Sequence, residues 1–206
     1  LSHDHLDDYA DLDEYLAAKA ELFVPERATT GVVSLDSEYG AKFAAASKIP
    51  VVTITSRSEV KADWRVEITA EVASKTAFKL TGPQGQTLES WVPILGAHMA
   101  ANAGLAVVMM IQAGYDFDRI SRAVKSGIDA YLPGRTELVS GQRGPSVYVD
   151  FGHSPDAFLN TLAAVRKVTA GRVLMLFGAD GDRDATKRAD MARIAAEGSD
   201  ILVITD

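Results

Sequence analysis

The chain contains no cysteine. That removes disulfides, thiolate metal sites and cysteine nucleophiles in one step. It has no apolar run near the roughly 18 residues that a membrane-spanning helix needs, and nothing at its start reads as a signal peptide. It also lacks a positive surplus: 21 basic residues against 28 acidic ones leave a net charge of −7. Such a surface repels nucleic-acid phosphates and anionic membranes, so neither partner is expected and a cytoplasmic protein is. No Gly-x-x-x-x-Gly-Lys-Ser/Thr stretch occurs, so these residues hold no self-contained P-loop for phosphate.

What is present is an ordinary globular mix of 206 residues, 47% hydrophobic and 24% charged, enough for one domain or two small ones. The chain begins at Leu1 and ends at Asp206, directly after Ile201-Leu202-Val203-Ile204, which reads as a buried strand. A parallel strand needs a crossover and a neighbour, so the chain is expected to be a piece of a longer protein.

Leu6, Tyr9, Leu12, Tyr15, Leu16, Ala20 and Phe23 fall on one helical stripe. Residues 31–35 read as a strand ending in Asp36, residues 38–47 as a helix and residues 51–55 as a second strand, the alternation of a parallel sheet. Three runs that alternate apolar with polar, 64–69, 76–80 and 88–92, predict a small antiparallel meander appended to it. Residues 96–113 are helical and apolar nearly all round, which predicts a buried helix, with Gly114 as its cap and Asp116 opening a shorter helix. After a break at 131–134, strand-like (146–150, 172–177, 201–204) and helical (155–168, 186–197) segments alternate again. The expected boundary lies near residue 130.

Four clusters can carry chemistry, and each has a structural alternative. His3-Asp4-His5-Leu6-Asp7-Asp8 offers donors for a divalent ion, or is a solvated acidic helix start. Lys19 lies about four helical turns beyond His5 and can face the same side, or is a surface lysine. In the second cluster, Asn102 sits inside an apolar helix and must find a partner, either an adenine edge or neighbouring backbone. The third joins Gly134-Arg135-Thr136-Glu137 to Asp150-Phe151-Gly152-His153-Ser154-Pro155-Asp156, a strand-to-helix loop. There Asp150 can meet ribose hydroxyls and His153 a phosphate, or the loop is merely polar with Ser154 as a cap. The fourth is Gly178-Ala179-Asp180-Gly181-Asp182-Arg183-Asp184, where Arg183 is an anion clamp or a partner for local carboxylates.

Taken in order, these clusters resemble the Mur ligase family. Asp4-His5-Leu6-Asp7 with Ala17-Ala18-Lys19 is similar to its Asp-His-Leu-Asp…Ala-Ala-Lys helix, and Gly96-x-His98-x3-Asn102 to its Gly-x-Phe/His-Asn-x-x-Asn helix. The loops at 134–137, 150–156 and 181–188 resemble Gly-Arg-x-Glu, Asp-Tyr-Ala-His-Thr-Pro-Asp and Gly-Asp-Arg-Asp…Lys-Arg. Each motif is weak alone; five in the same order along the whole chain are a strong signal. Phe151-Gly152 departs from the usual Tyr-Ala, and Met99 stands where the family usually has Asn.

The resemblance implies an α/β fold: residues 1–130 as the latter part of a central ATP-binding domain, with a parallel sheet plus the meander, and 131–206 as the first part of a Rossmann-like C-terminal domain. It implies an ATP- and Mg²⁺-dependent amide ligase that adds the third amino acid, lysine or diaminopimelate, to UDP-N-acetylmuramoyl-L-alanyl-D-glutamate through an acyl phosphate. His5 would be a Mg²⁺ ligand and Lys19 a lysine carbamylated into a second. Asn102 would hold adenine, Arg135 and Asp150 would contact the nucleotide, and His153 would lie near the phosphates. Lys19, His153 and Arg183 would serve catalysis. These residues alone are expected to be inactive. The alternatives are a related ligase of the folylpolyglutamate or cyanophycin synthetase type, or a nucleotide-binding module without catalysis.

Overall fold

The computed structural model describes residues 9–141, 143–179 and 185–205. Its first half is built on five strands, β1 (Gly31–Ser34), β2 (Val51–Thr55), β3 (Trp64–Val72), β4 (Lys75–Thr81) and β5 (Thr87–Val92), hydrogen-bonded in chain order. β1, β2 and β3 run parallel, and β3, β4 and β5 antiparallel, so the meander continues the parallel sheet. β3 faces the core with Trp64 and Val66, β4 with Phe78 and Leu80, and β5 with Leu88 and Val92, the period-2 alternation of a half-buried sheet.

Helices α1 (Leu12–Ala20), α2 (Glu38–Ala46), α3 (Ala97–Gln112) and α4 (Phe117–Val124) complete this half. α1 starts later than the stripe from Leu6 suggests. Asp11 has an extended backbone and its carboxylate accepts hydrogen bonds from Asp13 N and Glu14 N, which caps the helix there. His5, which the four-turn argument put on one helical face with Lys19, lies outside the described residues.

α3 also departs from expectation. It is buried on one face only, through Ala100, Gly104, Val107 and Val108, while Asn102, Ala106, Met109 and Met110 are exposed. Gly104 explains the close seat: a Cβ there would meet Val66 Cγ2 at 2.4 Å. The start of α3 is tied to the sheet by Thr76 on β4. Its buried hydroxyl donates to Ile94 O (2.9 Å) and accepts from Gly96 N (2.9 Å).

The second half has its own core, formed by Phe158, Met191 and Ala195 with Met175, Phe177, Ile194 and Leu202 against them. β6 (Glu137–Leu138) and β7 (Tyr148–Val149) make a short antiparallel pair, of which the alternation pattern foretold only the second. α5 (Pro155–Val168) begins with Ser154 capping Ala157 N and proline at the first position, and it packs on α6 (Arg188–Gly198). β8 (Leu174–Gly178) and β9 (Ile201–Thr205) pair in parallel, so β9 finds its neighbour upstream, across α6. The expectation that β9 is buried is not met: Ile201, Val203 and Ile204 are exposed, and Leu202 is the residue of this strand that packs against the second core. Among the described residues, no helix is long and apolar enough to cross a membrane.

Thr76→Val removes the hydroxyl and leaves the buried Gly96 N–H and Ile94 carbonyl without it. We expect a loss of about 1–3 kcal/mol, read as a lower midpoint in urea denaturation, with Thr76→Ser retaining most of the stability.

Candidate functional site

The loop from Tyr131 to Phe151 is closed by two carboxylates. Glu137 accepts hydrogen bonds from Gly134 N (2.8 Å) and Tyr131 Oη (2.9 Å). Asp150 accepts through Oδ2 from Thr136 N (2.7 Å) and Thr136 Oγ1 (3.1 Å), and through Oδ1 from Gly152 N (2.7 Å). Thr136 is buried with φ at 44°, a left-handed backbone that a β-branched residue seldom adopts. The pair of bonds it donates to Asp150 holds it there. Asp150 is therefore largely engaged by its own loop, and a ribose hydroxyl could reach only the remaining capacity, chiefly at Oδ1.

Gly152 has a local reason to differ from the alanine of the resembling motif. A Cβ at this position would lie 2.7 Å from Asp150 Oδ1 and 3.1 Å from Ala157 Cβ. On the outer side of the loop, the exposed Arg135 guanidinium sits 5.2 Å from the Phe151 ring centroid. The Phe151 and His153 rings meet edge to face at 5.4 Å, and His153 Nδ1 lies 3.1 Å from Phe151 O. Arg135, Phe151 and His153 thus form one exposed cationic and aromatic strip.

The first turn of α3 lies within electrostatic reach of this loop. His98 is half-buried, and burial lowers its pKa below the ordinary 6.5, against the opposing pull of Asp150, Asp156 and Glu71. One turn further on, Asn102 is exposed, and its amide has no hydrogen-bond partner among the described residues. The expected need for a local partner is not met by the protein, because the helix turns this side chain outward. Met99, by contrast, is packed against the first core, which accounts for an apolar residue where the family motif usually has Asn.

Lys19 occupies a different place. It is exposed in the last turn of α1, 5.3 Å from the Tyr15 ring, and lines an open cavity of about 330 Å³ with Phe23, Ser34, Ser37, Tyr39 and Phe43. This cavity lies at the carboxyl end of β1, where parallel sheets bind ligands. Beside it is Asp36, whose carboxylate accepts from Thr55 Oγ1 (2.7 Å), Ser56 N (2.8 Å) and Ser56 Oγ (2.7 Å). Sequence reasoning did not single out Asp36, although an Asp ending a strand before a helix was the signal used for Asp150. His5 and Arg183 lie outside the described residues. Among the described residues, no group of three or more His, Asp or Glu could hold a metal ion. The structure thus brings Asp150 and His98 near each other and stacks Arg135 with Phe151, while Lys19 belongs to a separate pocket.

Two α/β halves with separate cores, and an exposed strand-to-helix loop opposite a helix start, define the class of two-lobed α/β proteins. Within that class, two family models match most of the chain: the Mur ligase middle domain matches residues 1–110, and the Mur ligase glutamate ligase domain matches residues 134–206. The chain belongs to the Mur ligase family.

Relatives include a UDP-N-acetylmuramyl-tripeptide synthetase from Leifsonia xyli subsp. xyli, 58% identical over the whole chain and 40% of that protein. A UDP-N-acetylmuramoyl-L-alanyl-D-glutamate–2,6-diaminopimelate ligase from Streptomyces avermitilis is 35% identical with the same coverage. The chain spans about 40% of the length of these curated relatives. Among solved structures, a ligase of the diaminopimelate type superposes with TM-score 0.64 and 28% identity, over 100% of this chain and 42% of its own. Mycobacterium tuberculosis folylpolyglutamate synthase shares the fold with TM-score 0.73 at 19% identity, over 99% of this chain and 46% of its own.

The lowered pKa of His98 has a signed consequence. The unfolded chain takes up the proton first, near 6.5, so folding stability is full above that value and falls as pH drops toward the lower folded pKa. We expect thermal melts of the wild type to lose stability below about pH 6.5 more steeply than His98→Gln; equal slopes would refute this.

Proposed function

We propose that this chain is part of an ATP-dependent amide ligase that adds the third amino acid to UDP-N-acetylmuramoyl-L-alanyl-D-glutamate in peptidoglycan synthesis, and that it works in the cytoplasm. The observation that carries the reading is the 58% identity, across all of these residues, to a protein named as a tripeptide synthetase. In this reading residues 1–130 belong to the central ATP-binding domain and residues 131–206 to the C-terminal domain. The incoming amino acid is lysine or diaminopimelate; the diaminopimelate ligases among the relatives favour the second at lower identity.

The described side chains fit a nucleotide. Asn102 presents an amide with both donor and acceptor free, the pattern that an adenine edge matches. Arg135 supplies a cation next to the exposed Phe151 face, and Asp150 retains limited acceptor capacity for a ribose hydroxyl. His153 stands on the same strip, within reach of an anionic group bound there. Together these residues orient ATP; the substrate carboxylate attacks the terminal phosphorus and ADP leaves, and the amine of the added residue then displaces phosphate from the acyl phosphate to form the amide. Arg183 is proposed to face the substrate cleft.

The described residues do not by themselves make a Mg²⁺ site. His5 and Lys19 are the proposed ligands, and an ion held by them would neutralise charge on the phosphates. As an ammonium, Lys19 repels a cation. Carbamylation gives it an anionic, oxygen-bearing head, which makes a lysine at this position intelligible.

The test uses the complete gene product. Asn102→Ala is expected to weaken ATP binding about tenfold in calorimetric titration, the equivalent of roughly 1.4 kcal/mol. Lys19→Ala is expected to leave that affinity near wild type yet to abolish phosphate release with the UDP-linked dipeptide and amino acid. If neither substitution changes binding or turnover, the assignment of these residues is wrong.

A further inference from the structure

The tip of the β3–β4 hairpin touches three separate parts of the molecule. Ala73 and Ser74 join the two strands. Just before them, Glu71 Oε2 receives Lys167 Nζ from α5 at 2.6 Å. At the turn itself, Ala73 O accepts a hydrogen bond from Tyr148 Oη on β7 at 2.9 Å. Just after it, Thr76 holds Ile94 and Gly96, and with them the start of α3. Within residues 71–76, one rigid turn therefore grips the helix that carries His98 and Asn102 and also two elements of the second half, one on each side of the Asp150 loop.

Glu71 is the unusual member. Its side chain is only 10% exposed, Oε1 is buried without a hydrogen-bond partner, and its lysine partner is 56% exposed. A pair with one partner so exposed contributes little to stability, and a buried carboxylate oxygen left unmet has a cost. Stability is thus a poor reason for a carboxylate here. Geometry is a better one, because two attachments at Glu71 and Ala73, from different elements, resist rotation where a single contact would permit it. Tyr148 keeps its proton as the donor, since burial raises its pKa.

We propose that the β3–β4 hairpin tip is the pivot that sets how the two halves meet, with Glu71, Lys167 and Tyr148 as positioning residues that hold the Asp150 loop at a fixed distance from the Asn102 helix. The proposal rests on the ligase reading for its consequence in catalysis, but the geometric claim stands apart from it. Opening the pivot separates Asn102 from the Arg135–Phe151 strip, so ATP binds more weakly while each half remains folded.

The experiment is carried out on the complete gene product. Spin labels at Glu89→Cys and Ala163→Cys, both exposed and one in each half, give the distance distribution between the halves. It is measured in the wild-type background and in a Glu71→Gln/Tyr148→Phe double variant. The expected result is a narrow distribution that broadens in the double variant with little change in melting temperature. The KM for ATP should rise at least about fivefold in that variant and in Lys167→Met, and Lys167→Arg should restore it. An unchanged distance distribution in the double variant overturns the pivot, whatever the kinetics. If the distribution broadens while the wild type shows no ATP-dependent ligation, the pivot stands and the ligase reading falls.

Discussion

The hydroxyl of Thr76 stands where a sheet, a helix start and a hairpin meet. It donates to one end of the Ile94–Gly96 link and accepts from the other, so the first turn of α3 cannot shift without breaking a buried hydrogen bond. Gly104 then lets the helix lie against Val66. With its start pinned and its middle seated, α3 has one rotation about its axis. That rotation is what turns Asn102 outward and half-buries His98 beside the carboxylates of the second half.

The loop on the other side depends on a carboxylate of a different kind. Asp150 spends most of its hydrogen-bonding capacity on Thr136 and Gly152, and so holds Thr136 in a conformation that threonine would otherwise avoid. The result is a stiff turn from which Arg135, Phe151 and His153 project as a strip. A residue that looks from its position like a ligand contact is here first a structural clasp. The side chains left exposed by that clasp are the ones proposed to meet a nucleotide.

Membership of the Mur ligase family explains why two halves with separate cores share one chain. In the proposed ligase reading an acyl phosphate needs water kept away, and a site divided between two lobes would do this. The contacts of the hairpin tip, in the proposal above, hold those lobes at one spacing. The departures from the family pattern have local causes: Gly152 makes room for Asp150 and Ala157, and Met99 fills space against the core.

Much was legible in the residues themselves. The alternation in 64–69, 76–80 and 88–92 foretold the meander, Asp116 and Ser154 were recognisable as caps, and the ordered motifs pointed to the family before any coordinates did. Those features are local, set by backbone sterics and by hydrogen bonds between near neighbours. Other features were beyond reach. The apolar run in α3 concealed an exposed face, because alanine and methionine are tolerated on either side of a helix and only the packing of Gly104 on Val66 decides which side is inward. The commitment of Asp150 to Thr136, fourteen residues away, and the grip of residues 71–76 on α5 and β7 were equally hidden. Pattern and spacing determined the elements and the kinship of this chain. Which polar groups were consumed by the fold, and which were left facing outward, was decided only when distant segments came together and competed for the same hydrogen bonds.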